Sequence, residues 1–588
     1  MRRRSFLSAV PLGAGTVLLS GGGQTAAAAP PGGLPAVRDP RYLAPIADAR
    51  AVPRFVTPLP RPSRIDLSDG GSRTLVMAPV TQDVVGAGLG LRTPVWGFGA
   101  VGGPAGARPS WPGPTLVARS GRPVRVRWRN ALPFRHLLPL DTTVHWAFSG
   151  TGRSIEHDGV PTIVHLHGGH SDAGSDGHPD AWYTPGGARG PRFTGTRPTY
   201  DNSQEAATLW YHDHTLGLTR LNVYAGLAGF YLLRDDRELS LIERGALPSG
   251  PYEVELAIQD RDLRPDGSLA FPDAPAAAPD WPGGPSVLPE FFGSVIVVNG
   301  AAWPVLDVEP RRYRLRLLNA SNSRFYRLSA HGVRPVPVTQ IGADGGFLDR
   351  PAALDRPLLL APGERADLIV DFRGHEGALI DLTNDAPVPF PDGDPVAPPA
   401  DRVLRFRVSL PYDRRVPEAV PPRTLRETPF RAGGAPARTR RLVLTEHMDR
   451  YDRPKPMLGT VERGMLEWME PVTETPALHS TEIWEFYNTT DDAHPVHLHL
   501  VQFQILDRAP FTAVQDPVTG ALSDIATGSR RPPGADENGP KDTVRALPGE
   551  VTRLRAVFDK PGVFVWHCHI LDHEDHEMMR EYEVVDDG

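Results

Sequence analysis

Cysteine is almost absent: of 588 residues, only Cys568 carries a thiol. One cysteine excludes an internal disulfide. The thiol is therefore a buried neutral side chain, an intermolecular bridge or a working group. Past the N-terminus there is no run of about 20 apolar residues, so a mature chain without a membrane span is expected. No basic block stands out, and 63 Lys and Arg against 70 Asp and Glu leave a formal charge of −7. That balance argues against nucleic acid or an anionic membrane as the main partner. Heptad repeats and low-complexity tails are also missing. What is plentiful is Pro (64) and Gly (59), which favours many short strands joined by turns.

The N-terminus reads as an address. Arg2, Arg3 and Arg4 precede Ser5-Phe6-Leu7, then an apolar, Gly-broken run, then the small residues Ala26 to Ala29. Residues 1–29 thus resemble a twin-arginine signal, which implies export of an already folded bacterial protein to the envelope, periplasm or exterior.

Three segments alternate apolar and polar residues and end in Asn: Val124 to Asn130, Tyr313 to Asn319 and Glu482 to Asn488. Period-two alternation predicts strands with one buried face. Pro362-Gly363-Glu364 and Pro548-Gly549-Glu550 each lead into a further such strand. The repetition predicts three related β-sandwich units, in an all-β chain. Composition places the units at 40–235, 236–410 and 438–588, with a Pro- and Arg-rich linker at 411–437. Residues 527–542, with Arg530-Arg531-Pro532-Pro533 and Asp536-Glu537, read as an exposed loop.

Ten of the 20 histidines fall in four clusters, each holding a His-x-His pair: His165/His167, His212/His214, His497/His499 and His567/His569. On a strand, residues i and i+2 face the same side about 6–7 Å apart. Each pair therefore presents two imidazoles together, and four converging pairs give eight nitrogen ligands, which suit copper. Cys568 lies between His567 and His569, so on a strand its sulfur points away from both rings. It needs other partners. His494 lies three residues before His497, His573 five after Cys568, and Met578 five after His573. Two His, a thiolate and a weak Met make a blue-copper site. A metal there is joined to the imidazole cluster by a few covalent bonds through the Cys568 backbone.

The first and third units each carry an early His-Leu-His and a later aromatic-rich His-x-His, and aligning the later pairs puts Asp213 where Cys568 stands. The middle unit has neither pair. The cluster is expected between units one and three, with the middle unit as a spacer.

His-Cys-His, three residues, His, four residues, Met resembles the signature of the multicopper oxidases. Trp210-Tyr211-His212-Asp213-His214, Leu221 to Gly226 and His569 to Asp575 look most like the bacterial spore-coat-type laccases, with bilirubin oxidase and phenoxazinone synthase as relatives. The resemblance implies three consecutive cupredoxin-like (Greek-key β-sandwich) domains and four coppers per chain. It assigns His494, Cys568, His573 and Met578 to type 1 copper, and His165 and His497 to type 2. His167, His212, His214, His499, His567 and His569 go to the type 3 pair. It also implies docking of the reductant near His573, and proton delivery aided by Asp176 and Glu574.

The expected partners are dioxygen and a small aromatic reductant, a phenol or aromatic amine. Bilirubin, an o-aminophenol and cuprous ion are alternative reductants, and a copper protein without turnover is the reading from another class. Oligomeric state is open. Among lesser candidates, Met579 is expected in the core. His170, His178 and His576 are expected to be solvated. Met448, Met457, Met465 and Met469 are expected in packing or loop anchoring.

Overall fold

The structure is a computed structural model, and it describes residues 47–86, 88–101, 108–271, 278 and 281–586. The signal-like residues 1–29 lie outside the described residues.

Among the described residues the strands form six sheets. In chain order they sort into three two-sheet sandwiches, as the three alternating segments imply. In the first, Arg64–Leu67, Gly113–Arg119, Ala228–Arg234, Ala207–Asp213 and Val164–His167 face a sheet of Thr93–Ala100, Gly71–Gln82, Val124–Asn130 and Thr199–Tyr200. The second pairs an eight-stranded sheet, including Glu253–Leu263, Arg312–Asn319 and Arg365–Asp371, with a five-stranded one. The third pairs a seven-stranded sheet with a four-stranded one of Thr543–Ala546, His494–Leu498, Gly562–Cys568 and Met579–Val584.

The alternating segments occupy the same place in each sandwich. Val124–Asn130 runs parallel to Gly71–Gln82, Arg312–Asn319 to Glu253–Leu263, and Ser480–Asn488 to Arg438–Met448. Parallel neighbours cannot be joined by a hairpin, so each connection crosses to the other sheet. The terminal Asn explains its own recurrence. Asn130, Asn319 and Asn488 each accept from the backbone N–H two residues on. Each also donates to at least two carbonyls elsewhere in its unit, such as Val160 and Tyr183 for Asn130. Leaving those buried groups unpaired costs about 1–3 kcal/mol each.

One continuous apolar core runs from Ala49 to Val408 through the first two sandwiches. The third is built on a second cluster around Trp484, Phe486, Trp566 and Tyr582, which Phe325, Ala361 and Ala386 of the middle sandwich join. Segment 411–437 packs on the middle sandwich, where Arg311 and Arg312 donate to the carbonyls of Asp413 and Ala419.

Candidate metal centre

The four His-x-His pairs sit at matching ends of sheets in the first and third units. Val164–His167 pairs with Ala207–Asp213 so that His165 lies opposite His212. His494–Leu498 pairs with Gly562–Cys568 so that His497 lies opposite His567. The second member of three pairs, His214, His499 and His569, falls just past its strand.

Ligand atoms from both units then gather in three groups. His167, His212 and His569 form one; His214, His499 and His567 a second; His165 and His497, with His167 alongside, a third. In the second group the Nε2 atoms are 3.1, 3.2 and 3.3 Å apart. A metal about 2.0 Å from each of several imidazoles spaces them at about this distance.

Tautomers are fixed from behind. The Nδ1–H of His165 donates to the Asp176 carbonyl at 2.6 Å, and that of His497 to the Asp542 carbonyl at 2.7 Å. His212 and His567 donate from Nδ1 to the carbonyls of Asp213 (2.8 Å) and Cys568 (3.0 Å). A carbonyl can only accept, so these Nδ1 atoms carry the proton and the opposite Nε2 offers a lone pair. The Nε2 atoms of His165, His212 and His497 are indeed buried with no hydrogen-bond partner, as are both ring nitrogens of His569. His167 is reversed: its Nε2 faces Asp542 Oδ1 at 3.0 Å and its Nδ1 is unpartnered. Burial, reinforced by neighbouring imidazoles, holds the pKa of His165, His167, His214, His497, His499 and His569 well below the usual histidine range. Neutral imidazole is the ligand form.

On the other face of its strand, Cys568 Sγ lies 3.6 Å from His494 Nδ1 and 3.7 Å from His573 Nδ1. These two nitrogens are 3.3 Å apart. The short helix Leu571–Glu574 turns His573 back toward the sulfur. The chain then returns so that Cys568 N–H donates to the Met578 carbonyl. Met578 is buried in the same apolar cluster as Cys568. Met579 packs elsewhere, with Leu216, Trp468 and Val565. Ile570 N–H points at the sulfur from 3.4 Å, and Thr490 Oγ1 holds His494 Nε2 at 2.7 Å.

The repeat is visible in register. Asp213 lies opposite Val164 as Cys568 lies opposite Val496. In place of a thiol, Asp213 accepts from Asn222 Nδ2 and from the backbone N–H groups of Ile163 and Thr215. Burial pushes its carboxyl up to about 7.

Two multicopper oxidase family models match the chain, one over residues 159–238 and the other over residues 436–588. The chain is 44% identical to a laccase of Bacillus stratosphericus, over 81% of this chain and 89% of that one. It is 43% identical to a laccase of Bacillus subtilis (strain 168), over 84% and 91%. Its fold superposes on the McoA multicopper oxidase of Aquifex aeolicus with a TM-score of 0.68 at 26% identity, covering 90% of this chain and 99% of that one. The chain belongs to the multicopper oxidases. Membership brings copper as cofactor and dioxygen plus a reductant as reactants. The donor set of this multicopper oxidase fits copper: buried neutral imidazoles with unpartnered nitrogens aimed together, and a separate pocket of two imidazoles and one sulfur.

Asp176 and Glu574 stand behind the imidazoles. Asp176 Oδ2 is 2.7 Å from His499 Nδ1, and Oδ1 is 3.6 Å from His165 Nδ1. Glu574 reaches His567 Nδ1 at 3.1 Å and His214 Nδ1 at 3.4 Å. Burial pushes the Asp176 carboxyl well up.

Several expectations need correction. His178 and His576 are buried, not solvated: His178 Nε2 pairs with Glu581 at 3.0 Å, and His576 Nε2 faces Asp449 at 3.4 Å. His170 is half-covered and paired with Asp559. Met448 and Met469 are exposed, so only Met457 of that group is in the core. The end of segment 527–542 is not an exposed loop, because Glu537, Lys541 and Asp542 are buried among charged partners.

Asp542 and Arg365 are the residues that sequence reasoning missed. One cue existed. Arg365 follows Pro362-Gly363-Glu364, whereas Val551 follows Pro548-Gly549-Glu550, so the two copies of this turn lead into unlike residues.

Proposed function

We propose that the protein is a laccase-type oxidase that takes electrons singly from phenols or aromatic amines and reduces dioxygen to water. The observation that carries this reading is the placement of Cys568: its sulfur faces His494 and His573, while its flanking His567 and His569 belong to two different imidazole groups on the other side. On this reading His494, Cys568, His573 and Met578 hold type 1 copper, and His165 and His497 hold type 2. The type 3 pair falls to His167, His212 and His569 for one ion and His214, His499 and His567 for the other. Bound copper supplies the one-electron chemistry; four electrons and four protons convert each dioxygen to two waters.

The chain's own residues then have defined tasks. His573 is 5% exposed while His494, Cys568 and Met578 are at 0–1%, so its ring is the part of that pocket nearest a reductant. Asp176 holds the Nδ1 proton on His499, which keeps that Nε2 lone pair turned inward, Glu574 stands 3.1 Å from His567 Nδ1, and these two are the carboxyl groups placed to pass protons toward the same space. The units are taken as 40–235, 236–410 and 438–588, joined through 411–437. Among the described residues no helix is long and apolar enough to cross a membrane. Export in folded form through the twin-arginine-like residues 1–29 belongs to the same reading.

The test is oxygen uptake by copper-loaded protein with a methoxyphenol, bilirubin, an o-aminophenol and cuprous ion. Fastest turnover with the methoxyphenol is expected. Preference for another reductant would move the protein to that branch, and no uptake with any of them would refute the oxidase reading.

A further inference from the structure

The middle unit, which carries no His-x-His pair, reaches into the imidazole cluster. Arg365 opens strand Arg365–Asp371 and is fully buried. Its guanidinium touches all three units. Nε donates to the Thr208 carbonyl of the first at 2.9 Å. Nη1 donates to Asp542 Oδ1 of the third at 2.7 Å, and Nη2 to Asp542 Oδ2, a bidentate pair. Nη1 and Nη2 also donate to the carbonyls of Gly363 and Asp344 in its own unit.

Asp542 in turn serves two imidazoles. Its carbonyl takes the Nδ1–H of His497, and its Oδ1 faces His167 Nε2 at 3.0 Å. Lys541 beside it is tied to Asp344 at 2.7 Å and Glu364 at 3.0 Å, both in the middle unit. The packing leaves no slack. A Cβ on Gly168, next to His167, would come within 2.6 Å of both Arg365 Nη2 and Asp542 Oδ2. One on Gly363 would strike the His569 ring at 2.8 Å.

We infer that Arg365 is a positioning residue for the cluster of imidazoles. By clamping the Asp542 carboxylate it keeps that acceptor on His167 Nε2–H, which turns His167 Nδ1, alone among the ligands with an assigned tautomer, toward the shared space. The middle unit is then part of the copper site and not only a spacer. A carboxylate held by a fixed fork cannot swing away, whereas the same group beside a flexible or absent cation can.

This inference rests on the proposed ligand set, so the test compares wild type and variants by copper content, the blue absorption per chain and the electron paramagnetic resonance of non-blue copper. Wild type is expected to bind about four coppers with one blue centre. Arg365→Ala should keep the blue band per chain but fall to about three coppers or fewer, with a changed or lost non-blue signal. Arg365→Lys, which keeps charge but not the fork, should fall between. Asp542→Asn should mimic Arg365→Ala if the Arg365 variant is too unstable to purify. Full copper and an unchanged non-blue signal in both variants would overturn the inference. So would parallel loss of the blue band and the cluster copper, the mark of a merely structural residue. Wild type that failed to bind four coppers would instead overturn the ligand set itself.

Discussion

Cys568 carries two jobs that pull in opposite directions along one backbone. Its sulfur must face His494 and His573, and its neighbours must face the other way. Cys568→Ser keeps the volume but removes the soft ligand that gives a blue copper site. The blue band should vanish and turnover should fall at least about a hundredfold, while copper at the imidazole cluster stays close to three per chain. Retained blue colour would refute the ligand role. His136 shows residue-scale chemistry away from the metals. It packs edge-on against Trp96 at 4.6 Å, donates from Nε2 to Asn222 Oδ1, and accepts Leu138 N–H at Nδ1. Burial lowers its pKa to about 4, with Arg220 adding in the same direction. The folded value lies below the unfolded value of about 6.5, so the unfolded chain binds the extra proton and stability falls as pH drops from 6.5 toward 4. Between about pH 7.5 and about pH 5 this one group should cost about 2 kcal/mol. His136→Gln should flatten that part of the stability profile measured by thermal melts, and an unchanged slope would show that the burial argument fails.

At the scale of elements, the three repeated strands differ in how they satisfy the same alternating pattern. In the middle unit Arg314 and Arg316 are buried and paired with Glu238, Glu253 and Asp367. In the first, Arg125, Arg127 and Arg129 point outward, and none has an ion-pair partner among the described residues. Arg316→Met removes one member of a buried network and leaves Glu238 and Glu253 short of a cation, a loss of about 3 kcal/mol or more. Arg127→Ser should change stability by no more than about 0.5 kcal/mol. Denaturant midpoints of the two variants would test this, and similar values for both would contradict it. The contrast also marks what a sequence can show. Alternation revealed the strands, and two-residue spacing revealed that each histidine pair shares a face, because both are local consequences of strand geometry. Whether an alternating Arg meets solvent or a buried Glu depends on a partner tens of residues away. The same limit hid the link between Arg365 and Asp542, 177 positions apart, and let His178 and His576 pass for surface histidines.

At the scale of the molecule, the first two units share one apolar core, and the third is built on a second one that Phe325, Ala361 and Ala386 of the middle unit also enter. The four His-x-His pairs divide evenly, two in the first unit and two in the third. In all three imidazole groups the nitrogens come from both. Copper bound there joins two bodies built mainly on different apolar clusters. A ligand that binds only the folded state stabilises it by RT ln(1 + [L]/Kd), about 4 kcal/mol at a thousandfold excess over Kd, and copper bound across a boundary couples the parts on either side. Calorimetry should therefore show one dominant unfolding transition for the copper-loaded protein. After chelation it should show two, with the third unit melting apart from the joined first and second. Reloading copper should merge them again. A single transition at the same temperature with and without copper would mean that the buried ion pairs reaching across the units, such as Arg365 with Asp542 and Lys541 with Asp344, hold the three bodies together on their own.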